Sequence, residues 1–150
     1  MNIAVISLAT DKSNDSVGQL METSLRGQGN VARETIQPDL LRLKSVTLAA
    51  LADPRFDALI VVGELTAAGR EAVVAQIYAM LERRLDGFSQ VARNLLLERE
   101  GSSAIFSWTC AGAVGRRLIM ALPGNPAQLQ VWLEKLVLPS WPELQDWSSQ

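Results

Sequence analysis

Apolar positions fall into two alternating patterns along this chain, and together they predict strands separated by helices. Ile3-Ala4-Val5-Ile6-Ser7-Leu8 is an almost unbroken apolar run, the pattern of a strand covered on both faces. After the polar turn Lys12-Ser13-Asn14-Asp15, the positions Val17, Leu20, Met21, Ser24 and Leu25 recur at helical spacing and stop near Gly27 and Gly29. Val31 to Ile36 reads as a short second strand, ended by Gln37-Pro38-Asp39. Leu40, Leu43, Val46, Leu48 and Leu51 then carry a second helix towards Pro54. Phe56 to Gly63 is the clearest strand, rich in β-branched residues and closed by glycine. Ala67 to Leu85 reads as helix-rich, with Asp86-Gly87 as a break and a further short helix marked by Val91, Leu95 and Leu96. A small-residue segment runs from Gly101 to Cys110. Arg117 to Leu122 is another buried strand, closed by Pro123-Gly124. Asn125 suits an N-cap with Pro126 at the first helical position, and Leu129, Trp132, Leu133 and Leu136 form one apolar face. From Pro139 onward the periodicity is weak.

Strands alternating with helices predict an α/β fold, a three-layer α/β/α sandwich around a mostly parallel sheet. Ile3–Leu8, Ala58–Val62 and Leu118–Leu122 are its expected neighbouring central strands. The length of 150 residues fits a single domain spanning 1–150, with no internal repeat or low-complexity run.

Composition narrows the chemistry more than it narrows the fold. There is no histidine and one cysteine, which excludes a Ser-His-Asp or Cys-His relay, an intrachain disulfide and a Cys/His zinc cage. Any general acid, base or metal ligand must come mainly from Asp or Glu. Fourteen basic against sixteen acidic side chains give a net charge of −2, so no nucleic-acid partner is expected. Met1 to Ala9 is apolar but too short to span a bilayer and lacks a cationic start. No membrane partner is expected, and the lone thiol fits a cytoplasmic setting.

In open α/β sheets, ligands settle beyond the carboxyl ends of the strands. Three turns qualify by position: Thr10 to Asp15, Gly63 to Arg70, and Pro123 to Pro126. The last can hold an anion at a helix start, or can be an ordinary connector. Gly101-Ser102-Ser103, with Ser107 and Thr109, offers hydroxyls and open N–H groups for a phosphate or pterin, or is a plain loop. Asp39 is either a presented carboxylate or the N-cap of the following helix. Cys110 reads as a small buried hydrophobe, and the pairs Arg83-Arg84 and Arg116-Arg117 read as solvated.

Taken in order, several segments resemble the MoaB/MogA family of molybdenum cofactor biosynthesis proteins, whose domain also occurs in MoeA and gephyrin. They are Ile36-Gln37-Pro38-Asp39, Ala58–Gly63, Leu85 to Arg93, Gly101 to Ser107 with Ala111-Gly112, and Leu118 to Pro126. The resemblance covers nearly all of the chain. It implies binding of molybdopterin, as substrate or ligand, and in active members adenylyl transfer from Mg-ATP onto its terminal phosphate. It also implies a homotrimer or hexamer, to which the crowding of Trp132, Trp141 and Trp147 near the C-terminal end adds a compositional hint. By the same resemblance Asp39 and Glu71 have catalytic and Mg²⁺-holding roles. Gly63, Glu64, Thr66, Ser102, Ser103, Ser107, Gly124 and Asn125 fall at ligand-binding positions.

The departures lie at those positions. Where the family has Gly-Gly-Thr-Gly, this chain has Gly63-Glu64-Leu65-Thr66. Where the family has Asp before Thr-Pro or Ala-Pro, it has Glu71-Ala72-Val73-Val74. Trp108 replaces a usual Arg, and Ser7-Leu8 stands for a usual Ser-Asp. Side chains in place of glycine restrict the backbone, and Glu64 adds negative charge beside a phosphate site. Two readings follow: a MoaB/MogA-type molybdopterin-binding protein with adenylyltransferase-like chemistry, or a non-catalytic relative that kept the scaffold for binding or assembly.

Overall fold

In the computed structural model, which describes residues 1–150, the long apolar runs become the centre of one six-stranded sheet of order β2-β1-β3-β6-β5-β4. The strands are β1 (Asn2–Leu8), β2 (Asn30–Ile36), β3 (Ala58–Gly63), β4 (Arg83–Arg84), β5 (Cys110–Val114) and β6 (Arg117–Pro123). The helices are α1 (Ser16–Leu25), α2 (Leu40–Ala52), α3 (Ala67–Met80), α4 (Asp86–Glu100), α5 (Pro126–Trp132) and α6 (Leu138–Ser149). The first four strands of the order run parallel, and β5 and β4 are antiparallel additions. The three expected central strands are neighbours, and their carboxyl ends are level: Leu8 pairs with Gly63, and Gly63 with Pro123.

Alternate residues of these strands feed two cores. Ile3, Val5, Ile60, Val62, Met120 and Leu122 pack under the layer of α1, α4, α5 and α6. Ala4, Ile6, Leu59, Val61, Ile119 and Ala121 pack under α2 and α3. That is the predicted three-layer sandwich, and the unbroken apolar runs follow from burial on both faces.

The expectations that miss lie mostly between residues 81 and 114. The helix from Ala67 ends at Met80, because Leu81 turns extended and buries its side chain in the core. Arg83-Arg84 then pairs with β5 as a short edge strand. These arginines are not simply solvated: Arg83 lies over the Trp147 ring at 4.6 Å and donates to the carbonyls of Trp147 and Ser148, and Arg84 lies over Tyr78 at 4.1 Å. Asp86-Gly87 opens a helix of fifteen residues, whereas the sequence suggested a break and a short helix; Asp86 in its first turn suits the positive end of the dipole. Part of the small-residue segment is strand β5. Gly112 is required there, because a Cβ would sit 2.3 Å from the Arg83 carbonyl oxygen.

The weakly periodic tail is helical as well. It continues from α5 through a wide π turn, Leu133–Val137, into α6, despite Pro142. Trp132 and Trp141 are each 1% exposed in the chain's own core, and Trp147 carries Arg83. Trp132 and Trp141 are thus core residues and lend no support to an intersubunit surface, while Trp147 is half-buried. No helix is long and apolar enough to cross a membrane.

Candidate functional site

Because β1 is flanked by β2 on one side and β3 on the other, the strand order reverses between β1 and β3, where α/β sheets place their ligands. Segments following the level strand ends meet there: Ala9–Asp15, Gln37–Asp39, Glu64–Thr66 and Gly124–Asn125. The edge carries three separate cavities.

The first, of about 200 Å³, lies beyond β1 and β3 and is lined by Thr10, Asp11, Asn14, Asp15, Ser16 and Glu64, among others, with no basic side chain. Asp15 belongs to the architecture. One carboxylate oxygen accepts from the Ser7 hydroxyl at 2.6 Å and from the Gly18 N–H at 3.1 Å, capping α1. The other accepts from the Thr35 hydroxyl at 2.9 Å, with Arg33 at 3.7 Å. Asp11 caps the short turn after it, and hydrogen bonds from the Ser13 hydroxyl and N–H hold its carboxyl below the usual range.

The second cavity, about 140 Å³, is mostly apolar. Leu8, Leu40, Leu43, Leu65, Ala72 and Val73 line it, and Asp39 contributes the single charged side chain. Asp39 is exposed and accepts from the Leu41 N–H at 3.0 Å, so it serves as the N-cap of α2. Glu71 is exposed on α3 and lines none of the three cavities.

The third cavity, about 220 Å³, lies among α3, α4 and α5. Arg70, Glu100, Ser103, Ser107 and Gln128 line it together with Ala67, Leu96 and Phe106. Ser103 is exposed and its hydroxyl donates to the Glu100 carbonyl at 3.3 Å; Ser107 is buried and its carbonyl accepts from Arg93 at 2.7 Å. Ser102 is exposed beside them on the short turn Gly101–Phe106. Arg70 makes no hydrogen bond or ion pair through its side chain, and its Nε is enclosed. Sequence reasoning passed over this residue. The signal was there: a cation in the first turn of a helix faces the positive end of the dipole, where anionic side chains are favoured.

The other expected positions are committed to structure. Gly63 is buried, and a Cβ there would lie 2.9 Å from Leu8 Cβ. Gly124 lets the chain pass Trp132, whose ring would lie 3.0 Å from an added Cβ, and its N–H donates to the Gly63 carbonyl at 2.9 Å. Asn125 and Gln128 form a reciprocal capping box at the start of α5, so the Asn125 N–H already has the Gln128 side chain as acceptor. Thr66 caps α3 by accepting from the Gly69 N–H at 3.1 Å. No non-glycine residue has positive φ, so Glu64-Leu65-Thr66 is an ordinary turn. Trp108 is half-buried against the core beneath α2 and α3. Burial pushes the neighbouring Cys110 thiol up to about 12, which suits the inert hydrophobe expected.

No three acidic or thiol groups converge on a point that could hold a metal ion. Asp39 and Glu71, the expected Mg²⁺-holding carboxylates, belong to no such cluster.

Residues 6–143 match the family described as "Probable molybdopterin binding domain", and the chain belongs to it. It is similar to Molybdenum cofactor biosynthesis protein B of Bacillus cereus, 26% identical over 140 residues, covering 91% of this chain and 83% of the relative. The same protein of Bacillus subtilis is 28% identical over 140 residues, covering 91% and 82%. Among solved structures, a Molybdenum cofactor biosynthesis protein B superposes with a TM-score of 0.84 at 25% identity, covering 98% of this chain and 93% of that one. The fold is shared with the tungsten cofactor synthesizing protein MoaB of Pyrococcus furiosus, at TM-score 0.84, 18% identity and coverage of 99% and 97%. The assignment to the MoaB/MogA type made from the motifs thus holds.

Proposed function

We propose that this chain works in molybdenum cofactor biosynthesis by binding molybdopterin, or a close pterin phosphate, at the carboxyl edge of its sheet. The observation that carries the reading is the family match over residues 6–143, combined with a cavity among α3, α4 and α5 lined by Ser103 and Ser107, with Ser102 exposed beside it. Hydroxyls and a guanidinium suit a phosphate, and the apolar cavity beside Leu65 suits part of a flat ring.

The chemistry available is that of holding and orienting. Asp39 and Glu71 are the carboxylates nearest in sequence to the family's catalytic positions, one committed to a cap and the other facing solvent. Adenylyl transfer on this edge would therefore depend on Mg²⁺ arriving with its nucleotide, since Mg²⁺ is commonly bound through substrate phosphates and one or two carboxylates. Self-association belongs to the same proposal, with α2 as the contact: Leu41 and Leu48, seven residues apart, are 77% and 50% exposed. A cytoplasmic setting fits the single reduced thiol. Isothermal titration with molybdopterin tests the binding reading. Saturable binding near one equivalent per chain is expected, and absence of binding with the fold intact overturns it.

A further inference from the structure

We infer that Arg70 is the residue that grips the ligand's phosphate, in the cavity it shares with Ser103, Ser107 and Gln128; this deepens the pterin-phosphate reading above and rests on it. Four observations converge. The side chain has no hydrogen bond or ion pair in the protein, whereas Arg55, Arg83, Arg84 and Arg93 each find a carboxylate, ring or carbonyl. Its Nε is shut off from solvent without an acceptor, a state that native structures avoid unless an unseen partner completes it. It sits at the end of the first turn of α3, whose first turn carries no acidic residue. There the helix dipole opposes a cation but favours an anion beside it. Finally, the cavity of about 220 Å³ is smaller than the roughly 300–1,000 Å³ of sites that enclose a whole ligand, so it suits one group of a ligand, not all of it.

A phosphate fits these features. A guanidinium presents planar, paired donors to two phosphate oxygens, and Ser103 and Ser107 lie on the same wall. The family's usual arginine is absent at Trp108, so Arg70 delivers a cation to this edge from a different element. Glu100 shares the cavity and is the one opposing charge. Its carboxylate accepts from Gln128 Nε2 at 3.1 Å, and Gln128 is in turn held by the capping box with Asn125. The capping box thus also positions the acidic wall.

The test uses inorganic phosphate as probe, with sodium chloride of equal ionic strength as control, and follows the arginine side-chain Nε–H signals of the ¹⁵N-labelled full chain by NMR. One signal, missing in Arg70→Lys and Arg70→Met, should shift saturably with phosphate and not with chloride. Arg70→Lys should bind phosphate several-fold more weakly, and Arg70→Met should lose the response. Glu100→Gln should tighten it, and Arg26→Ala on the far end of α1 should leave it unchanged. Backbone amide dispersion confirms that each variant is folded; if Met at this position unfolds the chain, the Lys variant carries the comparison. No saturable shift in the wild type, or equal affinity in a folded Arg70 variant, overturns the assignment. If phosphate still perturbs the Ser102 and Ser103 amides without Arg70, the site reading survives and Arg70 falls. If phosphate binds through Arg70 and molybdopterin does not bind at all, Arg70 stands and the pterin reading falls.

Discussion

Two cavities on the same sheet edge differ in a way that their positions alone would not suggest. The one beyond β1 and β3 occupies the strand-order reversal, where such sheets place ligands, yet Asp11, Asp15 and Glu64 line it without a basic partner on its wall. The one among α3, α4 and α5 lies to the side and holds an unpartnered guanidinium with serine hydroxyls. The charges of the first disfavour a phosphate, while the second sets one guanidinium against Glu100 and is the cavity our proposal gives to a phosphate. Location sets where a pocket forms; the side chains set what can enter it. The turn between them, Glu64-Leu65-Thr66, contributes Glu64 to the acidic cavity and Leu65 to the apolar one, and Thr66 caps α3. Side chains have partitioned an edge that glycines would have left open.

The strongest test of this contrast removes the carboxylate at the heart of the acidic side. Asp15→Ala would strand the Ser7 hydroxyl, the Thr35 hydroxyl and the Gly18 N–H, and would deprive Arg33 of one of its two carboxylates. The Asp15 side chain is 1% exposed, so the loss should be about 3–5 kcal/mol of folding stability, as for a broken buried pair. Urea unfolding measures it. Phosphate affinity of the surviving folded fraction should be unchanged; a variant of near wild-type stability with weakened binding would make Asp15 a ligand residue instead.

The next effect is on rate. With a capped Asp39, an exposed Glu71 and side chains in the cradle, adenylyl transfer onto molybdopterin from Mg-ATP should be slower than in an active MoaB/MogA-type enzyme by at least about 10²-fold. That is the size of losing one preorganised donor. Single-turnover assays with both proteins at matched concentration measure the ratio. Comparable turnover would show that the acidic cavity binds Mg²⁺ brought in with the nucleotide, and the contrast would then lie between a metal side and a phosphate side.

How far these regions were legible in the sequence differs for physical reasons. The central strands declared themselves because burial on both faces demands unbroken apolar runs, as in Ala58–Gly63. Strand β5 did not, because Cys110-Ala111-Gly112-Ala113 owes its pairing to neighbours and close approach, with little intrinsic β preference. Asp39 and Asn125 were visible as caps, and both are caps. Gly63 and Gly124, kept at ligand-binding positions of the family, are glycines where a Cβ would strike the fold itself. A motif match at such a position carries packing information whether or not it carries a ligand. Arg70 showed in the sequence only as a cation at a helix start; that no carboxylate pairs with it is a property of the packed chain.

A smaller effect separates resemblance from structure at Trp108. Restoring the family's residue by Trp108→Arg looks from sequence like a gain in phosphate affinity. The side chain packs against the core beneath α2 and α3 and does not line the Arg70 cavity. The expected outcome is a stability loss of about 1–2 kcal/mol, below the ~3–5 for truncating a fully buried aromatic, with phosphate affinity unchanged. Thermal unfolding and the same NMR titration check the two halves. Tighter phosphate binding in this variant would mean that position 108 can still reach the ligand.

The smallest predicted effect asks whether charge or backbone geometry makes the turn between the cavities unfavourable. Glu64→Gln removes the charge and keeps the side chain; Glu64→Gly removes both. Glu64 is exposed, so its repulsion of a phosphate at the neighbouring cavity is weak, on the order of 0.5–1 kcal/mol at low salt. That corresponds to roughly two- to fivefold tighter binding. Because no residue of this turn has positive φ, glycine gains no conformation that the present backbone uses, and its added unfolded-state freedom costs some stability. The two variants should therefore tighten phosphate binding equally, and the gain should shrink as salt rises and the Debye length falls from about 30 Å at 0.01 M to 10 Å at 0.1 M. Titrations of both at those two ionic strengths decide it. A glycine variant that binds clearly tighter than the glutamine variant, with a salt-independent gain, would place the obstacle in the backbone and make the lost glycines the real difference between the two sides of the edge.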